Sequence, residues 1–144
     1  MAEKGGNIFQ LDRLLIPINI EKTHWFLAVV WFNKRTIQVY DSMPSRCGRR
    51  YYMELILGYI DEEHDKIYGR KIKRCGWTMM QCSDNNEWAP RQFPGGNDCG
   101  VFLCLFMDII MMGNSDTSGL CPTAVDENRR DWIANSLVFK ELIL

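Results

Sequence analysis

The run from Cys99 to Met112 constrains this chain more than any other segment, because Asp108 is its single charged residue. It is too short to span a bilayer, which takes about 20 apolar residues. A helix apolar on nearly all faces belongs at the centre of a fold, so the remaining elements must pack around it. The residues just ahead of it are a glycine-containing loop, Phe93-Pro94-Gly95-Gly96, and then Asn97-Asp98-Cys99-Gly100. This order puts a cysteine on the first turn of the helix. The N–H groups there are unpaired and carry partial positive charge. A cysteine in that field tends towards thiolate, the nucleophilic form. The same residues also fit a plain cap, Asn97 or Asp98, followed by a buried structural cysteine. The rest of the chain has to decide between the two.

With 144 residues the chain is expected to form one domain. Hydrophobic residues at 47% and charged residues at 24% are ordinary for a globular protein. The net charge of −1 gives no basic surface that would recruit nucleic acid, so no nucleic-acid partner is expected. Two local clusters, Arg46/Arg49/Arg50 and Arg70/Lys71/Lys73/Arg74, read as solvated loops or helix ends. No membrane span is indicated, and Met1-Ala2-Glu3-Lys4-Gly5-Gly6 lacks the apolar core of a secretory signal. The six cysteines are irregularly spaced with no CxxC pair, which favours reduced thiols and a nuclear or cytoplasmic location. The same spacing, with only two histidines, argues against a zinc site, and no cofactor is expected.

Along the chain, Leu14 to Ile20 reads as a strand interrupted by Pro17, and His24 to Trp31 as a buried aromatic and β-branched strand. Asn33-Lys34-Arg35 turns the chain, and Thr36 to Tyr40 alternates polar and apolar, so it pairs back as a hairpin. Tyr52, Leu55, Ile56, Tyr59, Ile60 and Ile67 recur at helical spacing and predict an amphipathic helix from Arg49 to Tyr68. Trp77 to Gln81 is a short strand candidate, Ser83 to Gly96 a loop, and Gly113 to Pro122 another. A last helix is expected from Asp126 to Leu144, with Trp132, Ile133 and Leu137 on one face. Strands grouped early with helices flanking them predict an α+β fold: a small, mostly antiparallel sheet packed against the helix that starts at Cys99.

A cysteine nucleophile needs a base and a group that orients it. His64, within Asp61-Glu62-Glu63-His64-Asp65, falls on the polar side of its helix and reads as solvated and inert. His24 opens the central strand, and a lone histidine there is commonly a surface residue. A hairpin centred near Asn33, however, returns Asp41 to the same end of the sheet as His24. Asp41 then either fixes the imidazole or simply ends its strand. The Cys99 N–H and the side-chain amide of Gln92, upstream on the same loop, are candidate oxyanion donors. Taken together, His24, Asp41, Gln92 and Cys99 supply every role of a thiol acyl-transfer site.

These residues resemble a known family. Leu14-Leu15-Ile16-Pro17-Ile18, His24-Trp25, Tyr40-Asp41-Ser42-Met43, Gly76-Trp77 and Asp98-Cys99-Gly100-Val101-Phe102 stand in the order found in the ubiquitin-like-protein-specific, or SUMO (sentrin), cysteine proteases. The resemblance runs from Ile8 to the C-terminus, and it implies the C-terminal part of a catalytic domain of the adenovirus-protease and papain-like superfamily. It implies His24 as base, Asp41 as orienter, Cys99 as nucleophile, Gln92 as oxyanion donor, and Trp25 as a wall of the narrow tunnel for a Gly-Gly tail. Trp25 is also compatible with a plain core aromatic. Gln92 stands one residue further from Cys99 than in the family pattern, with Phe93 in the expected place. The family's N-terminal catalytic portion, which supplies the tunnel's second tryptophan, has no counterpart in the chain.

The expected activity is hydrolysis after the C-terminal Gly-Gly of a SUMO-like modifier, in precursors and in conjugates on lysine. The expected partners are the modifier and its conjugated proteins, and the chain is expected to be a monomer. The alternatives are a protease for NEDD8 or ubiquitin, a weakly active form that binds a modifier without cleaving it, and, last in order, acyl transfer onto protein.

Overall fold

A computed structural model describes residues 6–43, 48–81, 89–92 and 95–117. Four strands and two long helices carry the architecture: β1 (Arg13–Ile20), β2 (His24–Trp31), β3 (Thr36–Tyr40), α1 (Arg50–Tyr68), β4 (Thr78–Met80) and α2 (Cys99–Met111). The sheet order is β1-β2-β3-β4, with β1, β2 and β3 antiparallel and β4 parallel to β3. The predicted mostly antiparallel sheet therefore forms, and the short strand near Trp77 joins it as β4. The expected helix at 126–144 lies outside the described residues.

The near-continuous apolar sequence of β2 means both of its faces must be covered. Alternate side chains of a strand point to opposite faces, and here they sort cleanly. Phe26, Ala28 and Val30, with Ile37 and Val39 of β3, pack against Met53, Ile56, Leu57 and Ile60 of α1. Leu27, Val29 and Trp31, with Tyr40, pack against Phe102, Leu103, Leu105, Phe106 and Ile110 of α2. Among the described residues the sheet thus lies between α1 on one face and α2 on the other. Along α2, Cys104 and Met107 are half-buried and Met111 is exposed. Pro17 lies on β1, the edge strand of the sheet, which is where a sheet tolerates proline.

Helix α1 starts and stops as predicted. Arg49 is its N-cap residue, and Gly69, at φ 66°, ends it by donating its N–H to the Asp65 carbonyl. Its buried stripe differs from the predicted one. Met53, Ile56, Leu57, Ile60 and Asp61 face inward, whereas Leu55, Tyr59 and Ile67 are exposed. Both stripes satisfy the 3.6-residue period, so periodicity alone could not choose between them. The inward carboxylate of Asp61 is the telling group: it accepts the Ile72 N–H at 2.9 Å and pairs with Arg74 at 3.1 Å. Those bonds tie the chain leaving α1 back onto the helix.

Candidate active site

The site forms where the start of β2, the end of β3 and the start of α2 meet. Register pairs Leu27 with Tyr40, so Asp41 follows the last pair and lies diagonally across from His24. The His24 Nε2 lies 2.7 Å from Asp41 Oδ1, and both side chains are buried. The hairpin argument from sequence thus holds at the level of a bond. Because Nε2 is engaged by Asp41, Nδ1 is the ring nitrogen left over.

Asp41 carries more donors than the sequence suggested. Its Oδ1 also accepts the Met43 N–H at 2.9 Å, and its Oδ2 accepts the Arg49 Nε–H at 2.7 Å. Burial opposes ionisation of Asp41, but the bonds from His24 and Met43 and the Arg49 charge outweigh it and hold the carboxyl below its usual range. Of the first basic cluster, Arg50 is solvated as expected and pairs with Glu54 on α1, while Arg46 lies outside the described residues. Arg49 departs from that reading, since its side chain is only 12% exposed and is committed to Asp41. The one sequence signal for it was an arginine at the start of a helix that follows the Asp41 turn.

Gln92 is buried, and its amide orientation is fixed from both ends. The Ser42 hydroxyl donates to Gln92 Oε1 at 2.8 Å, and the Gln92 backbone N–H donates to the Ser42 carbonyl at 2.9 Å. Gln92 Nε2 donates to the carbonyl of Gly96, in the loop that leads into Cys99. So Asp41 holds the histidine while Ser42, its neighbour, holds the glutamine. Sequence reasoning missed Ser42 as a contact, because a serine after a strand-ending aspartate looks like turn chemistry.

Cys99 is the first residue of α2, half-buried, with a free thiol. Trp25 is 40% exposed, and a Cβ added to Gly100 would lie 4.0 Å from its Cδ1. The indole therefore lies beside the first turn of α2 and belongs to neither core cluster. Among the described residues no hydrogen bond joins the Cys99 thiol to the His24 ring. Arg13 donates to the Ile110 carbonyl and ties the far end of α2 to the sheet, and the Tyr40 hydroxyl donates to the carbonyl of Ser115, just past the helix, at 2.6 Å. Cys104, one turn further along α2, is also a free thiol, and burial pushes it up, towards the inert protonated form.

The fold is that of an Ulp1-like protease catalytic domain. The Ulp1-like SUMO protease catalytic domain of Chaetomium thermophilum superposes with a TM-score of 0.61 at 26% identity, covering 87% of this chain and 45% of that one. The yeast C-terminal Ulp1 protease domain, solved in complex with Smt3, superposes with a TM-score of 0.55 over 78% of this chain and 47% of that one. The chain belongs to the Ulp1 protease family, whose C-terminal catalytic domain matches residues 1–139. Human Sentrin-specific protease 2 is 31% identical over 110 residues, and a Sentrin-specific protease of Caenorhabditis elegans is 33% identical over 100 residues. Those matches cover 74% and 69% of this chain but only 17% and 13% of the relatives' lengths.

Proposed function

We propose that this chain is a thiol protease that hydrolyses the bond after the C-terminal Gly-Gly of a SUMO-like modifier, in precursors and in conjugates on lysine. The observation that carries this reading is the buried His24–Asp41 bond at the sheet end that faces the start of α2. A carboxylate on Nε2 leaves Nδ1 to exchange a proton with a thiol, and it stabilises the imidazolium that results. Cys99 attacks the terminal glycine carbonyl. The oxyanion that forms is met by the Cys99 N–H and the Gln92 amide. Collapse expels the amine, which takes its proton from His24 and leaves a thioester on Cys99. Water, deprotonated by His24, attacks the thioester and releases the modifier with a free carboxylate.

Trp25 supports the specificity half of the reading. A channel walled by an indole beside the nucleophile admits an extended Gly-Gly backbone and rejects residues that carry a Cβ. The modifier and its conjugates are the proposed partners, met in the nucleus or cytoplasm where thiols stay reduced.

The test is incubation of the chain with SUMO, NEDD8 and ubiquitin, each bearing a C-terminal thiol-reactive warhead, with Cys99→Ala as control. An adduct with SUMO that needs Cys99 is the expected result. An adduct with NEDD8 or ubiquitin alone overturns the SUMO assignment, and binding without any adduct overturns catalysis.

A further inference from the structure

Asp41 is fully buried, and both of its oxygens are taken by charged or chargeable partners from different elements: His24 from β2 on Oδ1, and Arg49 at the start of α1 on Oδ2. The Arg49 guanidinium lies over the Phe26 ring, 5.2 Å from its centroid, and its Nη2 donates to the Met43 carbonyl at 3.3 Å. Stacked, mostly covered and bonded at several atoms, it is unlike the exposed Arg50–Glu54 pair one residue along. We propose that Arg49 is a positioning residue for the His24–Asp41 pair: it holds the second carboxylate oxygen so that the first stays aimed at His24, and its charge sets the pH range in which the pair works. This inference rests on the catalytic reading above.

Arg49 acts in two parts, through geometry and through charge. A carboxylate held on one oxygen only can swing about its terminal torsion, which is broad for aspartate. Donors on both oxygens fix its plane, and through it the imidazole. Charge is the second part. The titratable and charged groups gathered at this end are His24, Asp41 and Arg49, with Asp98 and Cys99 at the start of α2; Ser42 and Gln92 are neutral. A guanidinium stays charged at every working pH. Removing it takes a positive charge away from the Asp41 carboxylate, which bridges Arg49 to His24. Loss of a positive charge favours the protonated form of any neighbouring group, so both limbs of the pH–rate profile move to higher pH. Coulomb's law across the Asp41 carboxylate, between surface and bulk-water screening, sets the size at about 0.5 to 2 pH units.

The experiment compares wild type, Arg49→Met and Arg49→Lys. It follows kcat/KM against pH on SUMO carrying a C-terminal fluorogenic amide, and Cys99 alkylation by iodoacetamide against pH, with melting curves for all three. Arg49→Met, which keeps the contact with Phe26, is expected to lower kcat by about 10- to 100-fold with little change in KM, and to move both limbs upward. Arg49→Lys is expected to restore the limb positions while recovering only part of kcat, because lysine lacks the planar fork. Limbs that stay put in Arg49→Met, with a loss uniform in pH and no benefit from lysine, overturn the proposal and leave Arg49 as a fold-stabilising pair only. If wild type cleaves no modifier, the functional reading fails separately, and the alkylation profile still decides on Arg49.

Discussion

The chain's two histidines sit at opposite ends of the same sheet, in opposite company. His24 opens β2 and meets a buried carboxylate. His64 packs edge-on against Phe9, which in turn touches Phe32 just past the end of β2. Its Nδ1 donates to the Arg70 carbonyl at 2.6 Å, and its ring lies 4.7 Å from that of Tyr68. It is therefore half-buried rather than solvated, as a polar-face reading had it. A carbonyl fixes a tautomer but brings only a dipole. A carboxylate fixes the tautomer and also brings the charge that steadies an imidazolium. The first arrangement fastens a chain segment, and the second is suited to moving a proton. What separates the two is the partner that a distant strand delivers.

The widest gap is expected at the thiols and the histidines. Cys99→Ala should abolish warhead capture, whereas Cys104→Ala, which removes a thiol that burial keeps protonated, should capture within about two-fold of wild type. His24→Ala should lower kcat about 10⁴-fold, and His64→Ala should leave kcat/KM within about two-fold. Equal losses at the two histidines would break the comparison.

The oxyanion side sharpens it further. Gln92→Ala is expected to cost about 10² to 10³ in kcat, the size seen when one oxyanion donor is removed. Ser42→Ala should cost about ten-fold, since it frees the amide to turn without deleting it. A Ser42 loss as large as that of Gln92 would mean that orientation is the whole of the glutamine's contribution.

Stability tests reach the faces of α1. Leu57→Ala should destabilise by about 2–5 kcal/mol in denaturant unfolding, against less than about 0.5 kcal/mol for Leu55→Ala. The reverse order would restore the stripe expected from periodicity. The smallest effect is a pH dependence. Asp41 is held below its ordinary value of 3.8, so its contribution is present above that pH and is lost as pH falls through the lower folded value. Acid unfolding of Asp41→Asn should be flatter below about pH 4 than that of wild type. An unchanged acid limb would show that the pair does not stabilise the fold.

Much of the scaffold was legible because its signals are local. Strand alternation, the Asn33 turn, Gly69 past the end of α1 and the apolar run after Cys99 all report on neighbouring residues. A hairpin is also nearly local, so its turn alone was enough to set Asp41 beside His24. The faces of α1 were not legible, because two stripes share one period and the choice rests on Asp61 meeting Ile72 and Arg74. The same holds for Arg49, whose sequence neighbourhood is that of a solvated basic cluster.

By itself the sequence determined the element order, the pairing of His24 with Asp41, and a cysteine at the head of an apolar helix. Only the tertiary structure decided that α1 and α2 take opposite faces of the sheet, that β4 runs parallel to β3, and that Ser42 and Arg49 hold Gln92 and Asp41. The division follows from range. Periodicity and turn chemistry are written within a few residues, whereas a buried polar group's partner is whatever the packed layers bring within about 3 Å of it.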